Sequence, residues 1–175
     1  MKRIAGLLVG AVMSFGLAGC ETAGKIVDVI AEPDIQIGEN EIQPSQISLH
    51  AYAAGDVNKN FGGEPSPVVI KVLALSNDHR LFSYDFFSLV DKMDETLGKT
   101  LLANLDEVQL EPDSYKILGP YEMPEGTKKI AIIAEYLDIE TSVWRSAISV
   151  QDVGSNERFL LLLLEEEVRL IKDEG

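Results

Sequence analysis

Short apolar runs separated by turn residues are the feature that most constrains this fold. Residues 68–75 (VVIKVLAL) and 130–137 (IAIIAEYL) are rich in β-branched and aliphatic side chains, which predicts two buried central strands. Residues 46–53 alternate, with Ile47 and Leu49 on one side, and this pattern predicts a half-buried strand. Because short strands at close spacing are typical of sandwiches and barrels, we predict a mainly β chain. We expect a two-sheet antiparallel β-sandwich over residues 46–172.

The remaining strands are predicted from the same signals. They cover residues 107–110, 115–118, 143–150 and 159–171. Glu111-Pro112-Asp113-Ser114 predicts a type I turn with proline at its second position, and Pro124-Glu125-Gly126 predicts another turn. We interpret residues 159–171 as one last strand, with Glu165, Glu166 and Glu167 as its solvated end.

Residues 82–102 break this pattern and predict a short helical insert. Phe82, Phe86, Leu89 and Met93 recur at helical spacing and would form one apolar face. Gly98 predicts a break before a second short turn that contains Leu101 and Leu102. Because so short an insert cannot bury its apolar stripe alone, we expect it to pack on a sheet.

The N-terminus predicts export and a lipid anchor. Residues 1–19 have a basic start and an uncharged apolar stretch shorter than the roughly 20 residues of a membrane span, as in a signal peptide. Leu17-Ala18-Gly19-Cys20 resembles the lipobox of bacterial lipoproteins, which implies lipid on the Cys20 thiol. The alternative is an ordinary signal peptide with a chance cysteine. Glu21, in place of aspartate, implies the outer membrane by the sorting rule of that class. Residues 20–45 would form the lipidated N-terminus and a tether.

Composition excludes several functions. The chain has 175 residues, with 29 acidic and 15 basic side chains and a formal net charge of −14, which disfavours nucleic acid as a partner. Its single cysteine excludes an intramolecular disulfide and a CxxC site. The sequence lacks the common hydrolase, zinc-protease and nucleotide-binding motifs. We therefore predict no catalytic residue, no metal site and no cofactor apart from the covalent lipid on Cys20.

Residues 55–67 predict a long loop with oxygen-bearing side chains at alternate positions. Asp56, Asn58, Asn60 and Glu64 match positions 1, 3, 5 and 9 of an EF-hand loop. Phe61 stands where that loop needs glycine, and Pro67 where it needs a bidentate glutamate. Because the match is only partial, a calcium-dependent binding module remains an alternative and not the main prediction. A periplasmic enzyme acting on glycan or peptidoglycan is a second alternative.

An ordered set of segments resembles the TssJ family (also SciN or VasD), the outer-membrane lipoproteins of type VI secretion systems. The set comprises the lipobox, residues 54–75 (AGDVNKNFGGEPSPVVIKVLAL), residues 82–90 (FSYDFFSLV), the Glu111-Pro112 turn and the Trp144-Arg145 pair. The resemblance implies a transthyretin-like β-sandwich without enzymatic activity, held on the periplasmic face of the outer membrane. It also implies binding to the periplasmic C-terminal domain of TssM, in a complex with TssL, mainly through the loop between the first two strands.

We therefore predict that this loop is the main docking element. Its candidate residues are Asp56, Val57, Asn58, Lys59, Asn60, Phe61 and Gly62. Phe61 would anchor in a partner pocket, and Lys59 would steer the chain toward an acidic patch. Asp56, Asn58 and Asn60 would shape the loop and form hydrogen bonds at its rim. In the alternative reading, Phe61 folds back as a plug on the sandwich.

Overall fold

The computed structural model describes residues 43–173. The predicted signal peptide, Cys20 and nearly all of the tether lie outside the described residues. The strands within that range are β1 (Gln46–Ala53), β2 (Val68–Leu75), β3 (Leu101–Leu110), β4 (Ser114–Glu122), β5 (Lys129–Glu135), β6 (Arg145–Ser149), β7 (Asn156–Leu163) and β8 (Val168–Lys172). The helical segments are α1 (His79–Ser83), α2 (Phe86–Asp91), α3 (Met93–Leu97) and the 3₁₀ turn Gly98–Thr100.

Two four-stranded sheets form the sandwich, which confirms the predicted fold class. The first sheet has the order β4-β1-β7-β8 and the second has the order β3-β2-β5-β6. All strand neighbours are antiparallel except β1 and β7, which run parallel. The two inner faces pack on each other, and their fully buried side chains include Ile47, Leu49, Phe159, Ile70 and Ile132. The alternation predicted for residues 46–53 is therefore correct.

The connections divide between two ends of the sandwich. One end holds the β1–β2, β3–β4, β5–β6 and β7–β8 connections, and we call it the upper end. The opposite end, where residues 43–45 lead into β1, is the lower end. Eight residues of β1 separate the two ends by about 25 Å. The β1–β2 loop passes from one sheet to the other.

Three local predictions are wrong. Residues 159–171 form two strands, because residues 164–167 turn the chain between β7 and β8. Leu101 and Leu102 begin β3 and do not form a second helical turn. Asp113 has a φ of +55°, whereas a type I turn needs a negative φ at that position.

The helical insert covers the outer face of the second sheet. Leu81, Leu89 and Leu97 are fully buried and pack with side chains of β2 and β5. Phe86 packs edge-on against Trp144, with ring centroids 5.2 Å apart. Phe82 is 49% exposed, so its predicted place in the buried stripe is wrong. Within residues 43–173, no helix is long and apolar enough to cross a membrane.

Candidate functional site

Asn58 fixes the base of the β1–β2 loop. Its Nδ2 donates to the carbonyl oxygen of Pro67 at 2.6 Å, and its Oδ1 accepts from the backbone N–H of Leu137 at 2.7 Å. Its own backbone N–H donates to the carbonyl oxygen of Glu165 at 3.0 Å. The neighbouring Val57 lies in the core with no exposed surface. Both side chains are buried, so Asn58 shapes the loop as predicted but is not available for hydrogen bonds at the rim, and Val57 is a core residue rather than a candidate partner contact.

Asn60 closes the tip of the loop. Its Oδ1 accepts from the backbone N–H groups of Gly62 at 2.8 Å and Glu64 at 3.1 Å, and its backbone N–H donates to the Glu64 carbonyl at 2.9 Å. This side-chain turn fixes the backbone on both sides of Phe61. The Phe61 side chain is fully exposed, so the plug alternative is wrong.

Lys59 forms an ion pair within the molecule. Its Nζ lies 2.7 Å from Oε1 of Glu165 in the β7–β8 turn. The hydrogen bond that Lys59 donates to Glu165 raises the pKa of Lys59 above its usual value, despite partial desolvation. The lysine charge is therefore matched by Glu165, which corrects the prediction that Lys59 steers toward an acidic patch. Asp56 is exposed beside this pair and adds to the negative field around it.

A cleft of about 290 Å³ opens beside the loop. Three connections of the upper end form it: the β1–β2 loop, residues 136–144 between β5 and β6, and the β7–β8 turn. The residues that line it include Lys59, Phe61, Tyr136, Leu137, Asp138, Ser142, Glu165 and Glu166. We call this feature the acidic cleft.

The floor of the acidic cleft is held by contacts between these connections. The Tyr136 hydroxyl donates to the carbonyl oxygen of Leu164 at 3.2 Å, and burial raises the pKa of the phenol above its usual range. The backbone N–H of Val143 donates to the Glu166 carbonyl at 2.7 Å. Leu137 is 55% exposed at the rim. The Ser142 hydroxyl oxygen is buried and has no hydrogen-bond partner within the described chain.

Sequence reasoning missed the β5–β6 and β7–β8 contributions. The sequence pattern predicts a strand end at the glutamates 165–167 and places Leu137 inside a strand. The one signal in the sequence is the change from the apolar run at residues 130–137 to the acidic Asp138.

The loop geometry argues against the calcium alternative. Two oxygens that a cation would need, Oδ1 of Asn58 and Oδ1 of Asn60, already accept hydrogen bonds from backbone N–H groups. Among the described residues, no group of three or more His, Cys, Asp or Glu side chains is placed to hold a metal ion.

The enzyme alternative finds little support in the acidic cleft. A general acid in glycan hydrolysis needs a carboxyl group in an apolar environment. The side chain of Glu165 is instead 46% exposed and paired with Lys59.

Residues 45–166 match a family model described as type VI secretion lipoprotein (VasD, EvfM, TssJ). This match covers well over half of the chain. No curated protein is detectably similar in sequence.

Several solved structures share the fold. The T6SS lipoprotein TssJ1 from Pseudomonas aeruginosa is 22% identical, with a TM-score of 0.70 over 75% of this chain and 98% of that one. Lip from Serratia marcescens, described as a membrane-bound component of the type VI secretion system, is 26% identical. Its TM-score is 0.66 over 73% of this chain and 97% of that one. A chain in a structure described as the TssM C-terminal domain from EAEC is 18% identical. Its TM-score is 0.60 over 72% of this chain and 97% of that one.

Proposed function

The chain belongs to the type VI secretion lipoprotein family, and from this membership we propose that it links the outer membrane to the secretion system's inner-membrane proteins. In this proposal a lipid on Cys20 holds the domain on the periplasmic face of the outer membrane. The upper end binds the periplasmic C-terminal domain of TssM, which stands in a complex with TssL. The protein acts by binding and not by catalysis.

The observation that carries the proposal is the presentation of Phe61. A fully exposed aromatic side chain stands on a loop whose tip is closed by Asn60 and whose base is fixed by Asn58. Exposed aromatic side chains on a fixed backbone suit hot spots, because little conformational entropy remains to be lost on binding.

The position of this loop in the domain also supports a link between the outer membrane and the inner-membrane proteins. Residues 43–45 reach β1 at the lower end, whereas Phe61 lies at the upper end, about 25 Å away along β1. The loop therefore lies at the end of the domain opposite to the one where residues 43–45 enter it. A chain similar to this one also occurs in the solved structure described as the TssM C-terminal domain, which fits a complex with TssM.

The test is binding of the lipidated protein, purified in detergent, to the periplasmic domain of TssM from the same organism. Phe61→Ala should weaken binding at least tenfold, a change of about 1.4 kcal/mol, with the melting temperature unchanged. Phe87→Ala is the matched control, because Phe87 is 64% exposed on the helical insert. The control should bind as the wild type does.

A second variant tests the contribution of the whole loop tip rather than that of the Phe61 side chain alone. Residues 60–64 are replaced by a short Gly/Ser turn, while Asn58 is kept so that the loop base stays in place. Loss of binding with an unchanged melting temperature supports the proposal. Intact binding in this variant would remove the loop from the site, and absence of binding by the wild type would refute the partner.

A further inference from the structure

The acidic cleft carries a negative charge that the molecule itself does not neutralise. Its lining contains Asp138, Glu165 and Glu166 against the single cation Lys59, which gives a formal charge of −2. Lys59 is paired with Glu165 at 2.7 Å. Within the described chain, no salt bridge involves Asp138 or Glu166. Two carboxylates at the cleft are therefore available to a cationic group from outside.

The same cleft has an apolar side. The rings of Phe61 and Tyr136 and the side chain of Leu137 contribute to the lining. At about 290 Å³ the cleft lies just below the range of roughly 300–1,000 Å³ that is typical of small-molecule pockets. A lysine or arginine side chain matches both properties, because it has an apolar stem and a charged head. An arginine head can also stack on an aromatic ring.

We propose that the acidic cleft receives a lysine or arginine side chain of the partner, while apolar atoms of the same partner segment cover Phe61 and Leu137. This inference rests on the proposed function, since it names the chemistry of the surface that the docking loop binds. The net charge of −14 favours approach of a basic partner surface.

The test removes the two available charges without disturbing the loops. Asp138→Asn keeps the Oδ1 acceptor for the Thr141 N–H, and Glu166→Gln leaves the backbone bond to Val143 intact. The double variant and the wild type, both lipidated and in detergent, are titrated with the TssM periplasmic domain at several NaCl concentrations. We expect about tenfold weaker binding by the variant at low salt, and a smaller difference as salt rises.

Glu122→Gln with Glu125→Gln is the matched control, because it removes the same charge from exposed positions at the lower end. The control should bind within twofold of the wild type. Equal weakening of both variants would show a general charge effect and overturn the cleft proposal. Unchanged binding by the cleft variant would also overturn it, while leaving the docking function in place if Phe61→Ala still weakens binding.

Charge reversal gives a second, independent readout. Glu166→Lys should weaken binding more than Glu166→Gln does. Reversal of the matching lysine or arginine on the partner to glutamate should restore it in part, measured as coupling in a double-mutant cycle. If no basic position on the partner restores binding to Glu166→Lys, the proposed pairing is wrong. Absence of binding by the wild type would refute the proposed function and this inference together.

Discussion

At the scale of single residues, Asn58 contributes most to the placement of the β1–β2 loop. Its side chain bridges Pro67 and Leu137, and its backbone has a φ of +50°, which asparagine tolerates better than most residues. One residue thus connects the β1–β2 loop, the β5–β6 connection and, through its N–H, the β7–β8 turn. The sequence predicted a loop-shaping role here but not the burial, because the partners are distant in the chain.

Replacing Asn58 should separate the backbone effect from the side-chain effect. Asn58→Gly loses both side-chain hydrogen bonds and should lower the free energy of unfolding by about 1–3 kcal/mol. Asn58→Ala should cost about 1 kcal/mol more, because alanine disfavours a positive φ. Urea unfolding of both variants measures the difference. Equal losses in the two variants would contradict the backbone contribution.

Tyr136 should make the free energy of unfolding depend on pH in the alkaline range. Burial, with a further contribution from Glu167, raises the pKa of the folded phenol above its usual value of about 10. The folded state therefore holds the proton more tightly than the unfolded state. Its contribution is fully present below pH about 10 and is lost as the pH rises toward the raised folded value.

The expected slope can be measured by urea unfolding at pH 9, 10 and 11. Stability should fall across this range by at most about 1.4 kcal/mol per pH unit for each such group. Tyr136→Phe should make the fall shallower, even though it lacks the hydrogen bond to Leu164 and starts from lower stability. An equally steep fall in the variant would show that other groups cause the pH dependence.

At the scale of elements, the helical insert shows how a local break changes an apolar face. The spacing of Phe82, Phe86 and Leu89 assumed one continuous helix. The chain instead leaves the helix at Tyr84, and Asp85 caps a new one by accepting from the Ser88 N–H at 3.0 Å. Because the helix is interrupted between α1 and α2, the spacing does not carry through: Leu81 takes the buried position, and Phe82 is half exposed beneath the Arg145 guanidinium, 5.4 Å from its ring centroid.

Substitutions in the insert should distinguish the buried Leu89 from the exposed Phe82. Leu89→Ala should lower the free energy of unfolding by about 2–5 kcal/mol, because it opens a cavity between α2 and the second sheet. Phe82→Ala should cost at most about 1 kcal/mol, mainly through the lost cation–π contact. Thermal melts of both variants compare the two sites. A larger loss for Phe82→Ala would contradict the assignment of the buried face.

The β7–β8 hairpin could not be predicted, because its turn lacks the residues that are typical of turns. Leu160 and Leu162 are only partly exposed on the outer side of β7, so the run of leucines has no clear alternation. The turn at residues 164–167 contains no glycine, proline or asparagine and is closed by the Leu164 N–H donating to the Glu167 carbonyl at 2.8 Å. Two of the three carboxylates that line the acidic cleft lie on this turn, which explains why the sequence predicted the β1–β2 loop but not the cleft.

At the scale of the whole molecule, the sequence was most informative where the structure depends on local pattern. The bounds of β1 and β2 agree with the apolar patterns, and the two-sheet class follows from the spacing of strands. The division of strands between sheets, and the parallel pairing of β1 with β7, depend on contacts between distant residues. No local pattern encodes them, so they could not be predicted.

The lipid anchor is tested by Cys20→Ser, which removes the thiol that the lipobox would modify. We expect the variant to lose its place in the outer membrane, because no other segment is proposed to attach it. Membrane fractionation and mass spectrometry of the N-terminal peptide measure the outcome. A variant that still fractionates with the outer membrane would contradict the proposed attachment.

The central position of β1 has a mechanical consequence. This strand runs from the side on which the N-terminal segment joins the domain to the loop that carries Phe61, and it pairs with β4 on one side and β7 on the other. A pulling force between an anchored N-terminus and a bound loop would act along the length of β1. Because the force acts at the two ends of this one strand, its covalent backbone carries the tension, and the ladder hydrogen bonds, which lie across that direction, are outside the path of the force. The domain would transmit tension without opening.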